Sequence, residues 1–377
     1  MLKWIEIDKK ALLHNLNLIR SLVKKKTKII FVVKANAYGH GIEPVIKIAE
    51  ESGVVDWYGV NSIEEALELR KLGVKREILL LGYVEKEKIE EGVRKSIRFT
   101  VYNPDYILEM EKIARGLNKK AYIHLKLETG TGRQGISKKE WKYFKDILKN
   151  LSFVKFEAVS SHFANIEDTT DHTYAKYQLK RFNSFYNMII NDGFNPLRHF
   201  SCSASTLLFP KTHFDFVRVG ISAYGYWPSK ETYLSFLLKY KNELELKKVL
   251  SFYTKIAQVK TLRKGSFISY GLTYKTTQKT KIAVLPVGYY DGIDRKLSNI
   301  GYFLFEGERV PIRGRVCMNI SLVDVSHIRK VNSEDVVVLL GKSKSEEISA
   351  DDWAEKIDTI NYEVLSRLSP EIPRFVK

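Results

Sequence analysis

Cysteine is nearly absent from the 377 residues. Cys202 and Cys317 are the only two, so no disulfide framework can staple the chain, and a reducing cytoplasm is the expected setting. No C-x-x-C, H-E-x-x-H or paired-histidine spacing occurs, and no metal site is expected. Long hydrophobic runs are missing too, because none approaches the ~20 residues that cross a bilayer. The opening MLKWIEIDKK lacks the apolar stretch of a secretory signal, so neither a membrane nor export is expected. Internal repeats and low-complexity segments are likewise absent.

Acidic residues are scarce beside basic ones, 44 against 62, giving a net charge of +18. Such a balance invites a nucleic-acid partner. The lysines, however, are scattered, as at Lys24–Lys26, Lys75, Lys119–Lys120 and Lys138–Lys139, near helix ends and loops. They form no binding stripe, so the charge reads as a solvated surface with no nucleic-acid partner. With 44% hydrophobic and 28% charged residues the chain is a soluble folded protein, and its length suggests two or three domains.

Apolar, β-rich runs alternate with amphipathic helical patterns over the first two thirds. The expected strands are 29–35, 57–62, 78–82, 98–102, 121–128, 156–163, 199–203 and 216–224, with helices such as 63–72, 104–117, 138–148 and 174–191 between them. Asn103-Pro104 predicts a helix start, with asparagine as the cap and proline at the first helical position. Eight near-continuously apolar strands alternating with helices predict an α/β fold, a (β/α)8 TIM-like barrel. From about Leu238 the runs shorten and become turn-rich, at 253–259, 281–287, 302–305, 310–312, 322–325 and 336–340, before a last helical stretch at 349–356. The expected domains are therefore a barrel over 1–237 and a mostly antiparallel β domain over 238–377.

In such a barrel the active site forms at the C-terminal strand ends. Lys34 ends the first strand, Arg133 follows the fifth, His162 lies near the end of the sixth, Ser203 follows the seventh and Arg218 lies on the eighth. A lysine at a strand end can reach for solvent, or burial can free its amine to attack a carbonyl. The residues alone leave both open. In KLETGTGRQG, Lys126–Gly135, three glycines free the backbone to turn and carry Arg133 inward. Lys126, inside an otherwise apolar strand, would be a costly unpaired charge.

Eight motifs, VVKANAYGHG, KLETGTGRQG, SSHFAN, RVGISAYG, SYGLTY, LPVGYYDG, RGRVCMN and TINYEVLSRL, stand in the order and spacing of the alanine racemase family, whose members use pyridoxal phosphate. The chain resembles that family from about Ile5 to Arg374. The resemblance implies a barrel followed by a β domain, and a homodimer in which each site takes residues from the partner's β domain. It makes Lys34 the lysine that holds the cofactor and Tyr270, from the partner subunit, the second acid/base. It implies that Arg133 orients that tyrosine and the cofactor's phenolic oxygen, that Arg218 faces the pyridine nitrogen, and that His162 joins their network. Ser203, backbone N–H groups near Gly220 and Ile221, and the hydroxyls of Tyr38 and Tyr362 would hold the phosphate. Tyr289 and the backbone of Met318 would receive the substrate. Lys126 matches a lysine that can be carbamylated, which would turn a cation into an anion.

Two departures qualify the match. Cys202 stands where the family usually has asparagine, and Asn319 where it usually has aspartate. The expected activity is interconversion of L- and D-alanine by two bases, Lys34 and Tyr270, supplying D-alanine for peptidoglycan. The alternative is racemisation of another amino acid, serine or a basic one, on the same scaffold.

Overall fold

In a computed structural model the chain is described over residues 1–241 and 243–377. Two compact units divide it. One comprises Leu13–Ala35 and Ile46–Lys247; the other comprises Met1–Leu12, Asn36–Val45 and Lys248–Lys377.

The first unit is a closed parallel barrel. Its strands are Lys28–Val32, Trp57–Val60, Glu77–Leu80, Ile97–Val101, Ala121–Lys126, Val154–Ser160, Leu197–Ser201 and Phe216–Val219. Closure is made where Lys28 pairs with Phe216 and Phe31 with Val219. All eight expected strands are present, but most end two to five residues early. Strand eight stops at Val219 because the chain then turns at Gly220 and Ile221, with N–H groups of 223 and 224 folding back onto those carbonyls. The residues beyond, such as Ile221, Ala223 and Tyr224, are fully buried without being strand, which is why their apolar run looked like one. Helix signals are honoured locally. Asn103 caps Pro104–Gly116 by accepting from Asp105 N–H, and Ser62 with Glu65 forms a reciprocal capping box on Ile63–Lys71.

Two pairings in the barrel slip by one residue. Between strands five and six, Ile123 pairs with Phe156 but His124 with Ala158, leaving Glu157 as the extra residue. Between strands seven and eight, His199 pairs with Phe216 but Ser201 with Val217, leaving Phe200 extra. Such bulges re-aim side chains.

The second unit is mostly antiparallel. Its larger sheet runs Glu308–Pro311, Tyr302–Phe305, Val336–Ser343, Leu250–Lys255, Lys3–Ile7 and Arg374–Val376, with Glu346–Ile348 attached to Val336–Ser343. A three-stranded sheet joins Gln258–Leu262, Thr280–Leu285 and Ser321–Asp324. This unit draws on the first twelve residues of the chain as well as on those from Lys248 onward. Lys3–Ile7 pairs with Leu250–Lys255 and, in parallel, with Arg374–Val376, burying Ile5 and Ile7 in this unit. The run expected as one strand over 253–259 is two strands of different sheets, broken at Ile256 and Ala257. Among the described residues no helix is long and apolar enough to cross a membrane, and no cluster of His, Cys, Asp and Glu could hold a metal.

Candidate active site

Lys34 follows the first barrel strand and opens the turn Lys34–Tyr38. Ala35, Asn36, Ala37 and Tyr38 have φ of 54°, 52°, 52° and 53°, so the turn is left-handed from Ala35 onward. Each L-residue there costs about 1–2 kcal/mol, and strain of this kind persists only where the surroundings hold it. Glu65 supplies part of that hold. One carboxylate oxygen accepts the Ala35 N–H at 2.6 Å, and the other accepts the Asn61 N–H at 2.7 Å. Burial, then the Arg133 guanidinium, pushes the Lys34 amine below its ordinary value, against an opposing pull from Glu65. Lys34 Nζ has no hydrogen-bond partner among the described residues.

Arg218 is buried on strand eight. Its Nη1 lies 2.6 Å from His199 Nδ1, and its Nη2 lies 2.8 Å from Ser161 O, 3.2 Å from His162 Nδ1 and 3.2 Å from Phe200 O. A guanidinium only donates, so both imidazoles accept, and His162 keeps its proton on Nε2. The His162 carbonyl is pinned by Thr131 Oγ1 at 2.7 Å and Gln178 Nε2 at 3.2 Å. Burial, then Arg218, Lys126, Arg133 and Lys34, hold His162 well below the usual histidine range, so it is neutral. Arg218 itself is pushed down to about 10, chiefly by burial. Its Nε–H makes no hydrogen bond among the described residues.

Lys126 closes strand five, and its amine has neither a hydrogen bond nor a carboxylate partner among the described residues. Burial, Arg218 and Arg133 push it well below the ordinary lysine value, more than Glu128 pulls it up. The expected cost of an unpaired buried cation thus takes the form of a strong push away from the charged form. Glu128 is occupied elsewhere, accepting N–H groups of Gly130, Thr131 at 2.8 Å and Gly132 at 3.0 Å, and this fixes the loop that carries Arg133. Arg133 is exposed, and its guanidinium is unpaired among the described residues.

Ser203 begins the short helix after strand seven, and its Oγ accepts the Gly220 N–H at 3.1 Å. The next N–H, that of fully buried Ile221, has no partner among the described residues. An unsatisfied buried backbone donor is rare and calls for a ligand or water. Cys202, just before Ser203, is buried and pushed up to about 11 by burial and by Glu167.

In the second unit Tyr38 and Tyr362 face each other with ring centroids 6.0 Å apart. Tyr270, Tyr289 and Met318 stand on three loops tied to one another. Tyr289 N–H donates to Cys317 O and Tyr290 N–H to Met318 O, each at 3.0 Å. Gly288 permits this, since a Cβ there would lie 2.1 Å from Cys317 O. Ser269 Oγ donates to Arg315 O at 2.6 Å, joining the Tyr270 loop to the same strand connection. Tyr270 is 73% exposed and Met318 55%, so this loop cluster presents its functional candidates outward.

Sequence reading thus finds Lys34, Arg133, His162 and Arg218 at the barrel's strand ends, and Tyr270, Tyr289 and Met318 together on the other unit. It misses Glu65 and His199. Glu65 is visible only as a capping-box residue, and His199 as one polar residue in an apolar strand.

A closed barrel in one chain with an antiparallel β unit is a fold shared along its full length with amino-acid racemases, and the chain is an isomerase of that class. Residues 7–228 match the family model described as the alanine racemase N-terminal domain, and residues 249–376 the alanine racemase C-terminal domain. An alanine racemase of Leptospira interrogans is 39% identical over 377 residues, covering 99% of this chain and 95% of that one. The solved alanine racemase of Clostridium difficile superposes with a TM-score of 0.93 at 33% identity, over all of this chain and 96% of that one. An alanine racemase structure from Bartonella henselae, described as having covalently bound pyridoxal phosphate, superposes with a TM-score of 0.86 at 25% identity, over all of both chains. The chain belongs to the alanine racemase family.

Proposed function

We propose that the protein interconverts L- and D-alanine with pyridoxal phosphate, using Lys34 and the partner subunit's Tyr270 as opposed bases in a homodimer. The observation that carries the reading is the strand-end Lys34, unpaired and lowered towards its free-base form beside Arg133. A free amine at neutral pH is what both carbonyl attack and proton abstraction require.

The open groups of the barrel fit the cofactor. The unpaired Ile221 N–H and the Ser203 hydroxyl suit a phosphate dianion, with Gly220 carrying the turn. The open Nε–H of Arg218 suits an acceptor nitrogen, and unpaired Arg133 suits a phenolate oxygen and the substrate carboxylate. When bound, pyridoxal phosphate makes the α-hydrogen of an attached amino acid acidic. Lys34 then takes or returns that proton at Nζ on the face used by the D-enantiomer, and Tyr270 at its phenolic oxygen on the opposite face. Neutral His162, bonded to Arg218 through Nδ1, keeps an Nε2–H with which to hold the tyrosine oxygen. Tyr289 and the Met318 backbone receive the substrate. The Lys126 amine, pushed towards its free-base form by burial and by the Arg218 and Arg133 charges, is suited to carbamylation, which would replace a suppressed cation by an anion that can pair with an arginine.

Asn319, exposed beside Met318, and Cys202 favour a second reading, racemisation of serine or a basic amino acid. Turnover of alanine, serine and lysine by the purified, cofactor-loaded protein separates the two. Alanine is expected to be fastest by a wide margin, and faster serine or lysine turnover refutes the primary reading. Tyr270→Phe is expected to keep the cofactor and lose racemisation, whereas Lys34→Ala loses both. Retained turnover in both directions by Tyr270→Phe defeats the two-base scheme. With alanine as substrate, the product serves peptidoglycan synthesis.

A further inference from the structure

Behind Arg218 a string of buried polar groups runs through the barrel, and the two-base reading does not use it. His199 Nδ1 lies 2.6 Å from Arg218, His199 Nε2 lies 2.9 Å from His124 Nδ1, and His124 Nε2 lies 3.0 Å from Glu157 Oε2. Both imidazoles are shut from solvent. Glu157 lies 3.5 Å from Arg98 Nε, and Arg98 in turn pairs with Glu77 and sits over the rings of Trp57 and Tyr122.

Chemistry fixes the direction of this string. The guanidinium can only donate, so His199 Nδ1 is a bare acceptor and its proton sits on Nε2. That N–H must donate to His124 Nδ1, which places the second proton on His124 Nε2, facing the Glu157 carboxylate. One donor at the start therefore assigns every proton to the end. Burial holds both histidines below the usual range, helped at His199 by Arg218 and opposed at His124 by Glu157. The two register slips of the barrel fall on this string, at Glu157 and beside His199. Among the described residues no carboxylate forms an ion pair with Arg218, and Glu157 is the anion its hydrogen bonds lead to.

We propose that His199, His124 and Glu157 are positioning residues for Arg218, a one-way hydrogen-bond string that aims its guanidinium and supplies its counter-charge from inside the barrel. Its catalytic consequence rests on the reading of Arg218 as the cofactor's partner, whereas its proton positions do not.

Nitrogen NMR of the unmodified, cofactor-loaded enzyme carrying 15N-histidine tests the proton positions. His124 and His199 are expected to be neutral and protonated on Nε2; a proton on Nδ1 of either ring overturns the string. Variants test the positioning. His199→Gln keeps an acceptor followed by a donor, whereas His199→Leu keeps bulk and removes both. His199→Leu should lose about 10–100-fold in turnover, the usual scale for partners that orient a functional group from behind, and should shift the visible absorption of the bound cofactor. His199→Gln should stay within about threefold of the parent with the parent spectrum, and equal losses in the two variants overturn the proposal. Glu157→Gln keeps an acceptor for His124 without charge, so a parent-like spectrum and rate would remove the counter-charge role. If the protons are as assigned but the parent fails to racemise alanine, the string stands and the functional reading falls.

Discussion

Replacing Ala35 by glycine should reverse a familiar sign. In an ordinary exposed helix position glycine is about 1 kcal/mol worse than alanine. Ala35, however, has φ of 54°, where a Cβ costs about 1–2 kcal/mol and glycine is free of that cost. Its methyl group is exposed, so its removal surrenders no buried area. The N–H bond to Glu65 is a backbone contact and survives the change. Against the relief stands glycine's extra freedom in the unfolded chain, about 0.5–1 kcal/mol. The balance runs from about 0 to about 1.5 kcal/mol of stabilisation. Urea unfolding of the cofactor-free protein reads it, with Lys180→Ala and Lys180→Gly as the control pair in the middle of the right-handed helix Thr173–Asn191. The control pair should differ by about 1 kcal/mol in alanine's favour. If Ala35→Gly also loses about 1 kcal/mol, the left-handed turn is wrong. Because the strained turn fixes the backbone of Lys34, the same variant should racemise more slowly while folding at least as stably.

Gly39→Ala carries the opposite expectation, since φ is 79° and the new Cβ would lie 1.9 Å from the Leu365 carbonyl oxygen. Strain plus forced backbone movement should cost about 3–5 kcal/mol, seen as a lower unfolding midpoint or insoluble protein, and parent-like stability would refute the close approach. Acid should destabilise the fold well before its carboxylates titrate. Buried His40 is lowered to about 4, so between the ordinary histidine range and pH 4 the unfolded chain binds a proton that the folded one refuses. Stability present above about pH 6.5 is lost on descending to 4, about 3 kcal/mol from this residue, and a flat unfolding midpoint from pH 7.5 to 5 would contradict it. Amine labelling of Lys34 against pH in the cofactor-free protein should shift to lower pH in Glu65→Gln, which removes an anion, and to higher pH in Arg133→Gln, which removes a cation. Movement in the reverse sense would refute the assigned electrostatics.

The barrel was legible because its strands are buried on both faces, so each appears as an uninterrupted apolar run bounded by turn residues. The same burial blurred their ends. Val33, Leu127 and Ile221 are as dry as any strand residue, yet lie outside the ladder. KANAY gave no warning of its handedness, since alanine favours a right-handed helix, and only tertiary contacts impose the other sense. His124 and His199 are 75 positions apart, so no local spacing can pair them. Lys126 was conspicuous for the reverse reason, a charge in an apolar strand being anomalous without any partner in view. No local pattern assigns Lys3–Ile7 to the β unit, because its mates lie some 250 and 370 residues on.

The chain's positive charge takes on different meanings in different places. On the helices and loops its lysines are solvated, and their repulsions are screened within about 10 Å at ordinary ionic strength. At the barrel's strand ends Lys34, Lys126 and Arg218 are desolvated, and each lowers or is lowered by basic neighbours. Two carboxylates are close enough to neutralise them, but both are committed to backbone N–H groups, Glu65 at the Lys34 turn and Glu128 in the Arg133 loop. A fold that spends its local acids on shaping loops, and leaves desolvated bases and an unpaired Ile221 N–H beside them, has a site that an anion would stabilise. That deficit, more than the net charge of +18, supports the proposed phosphate-bearing cofactor, since the scattered charge predicts no particular partner.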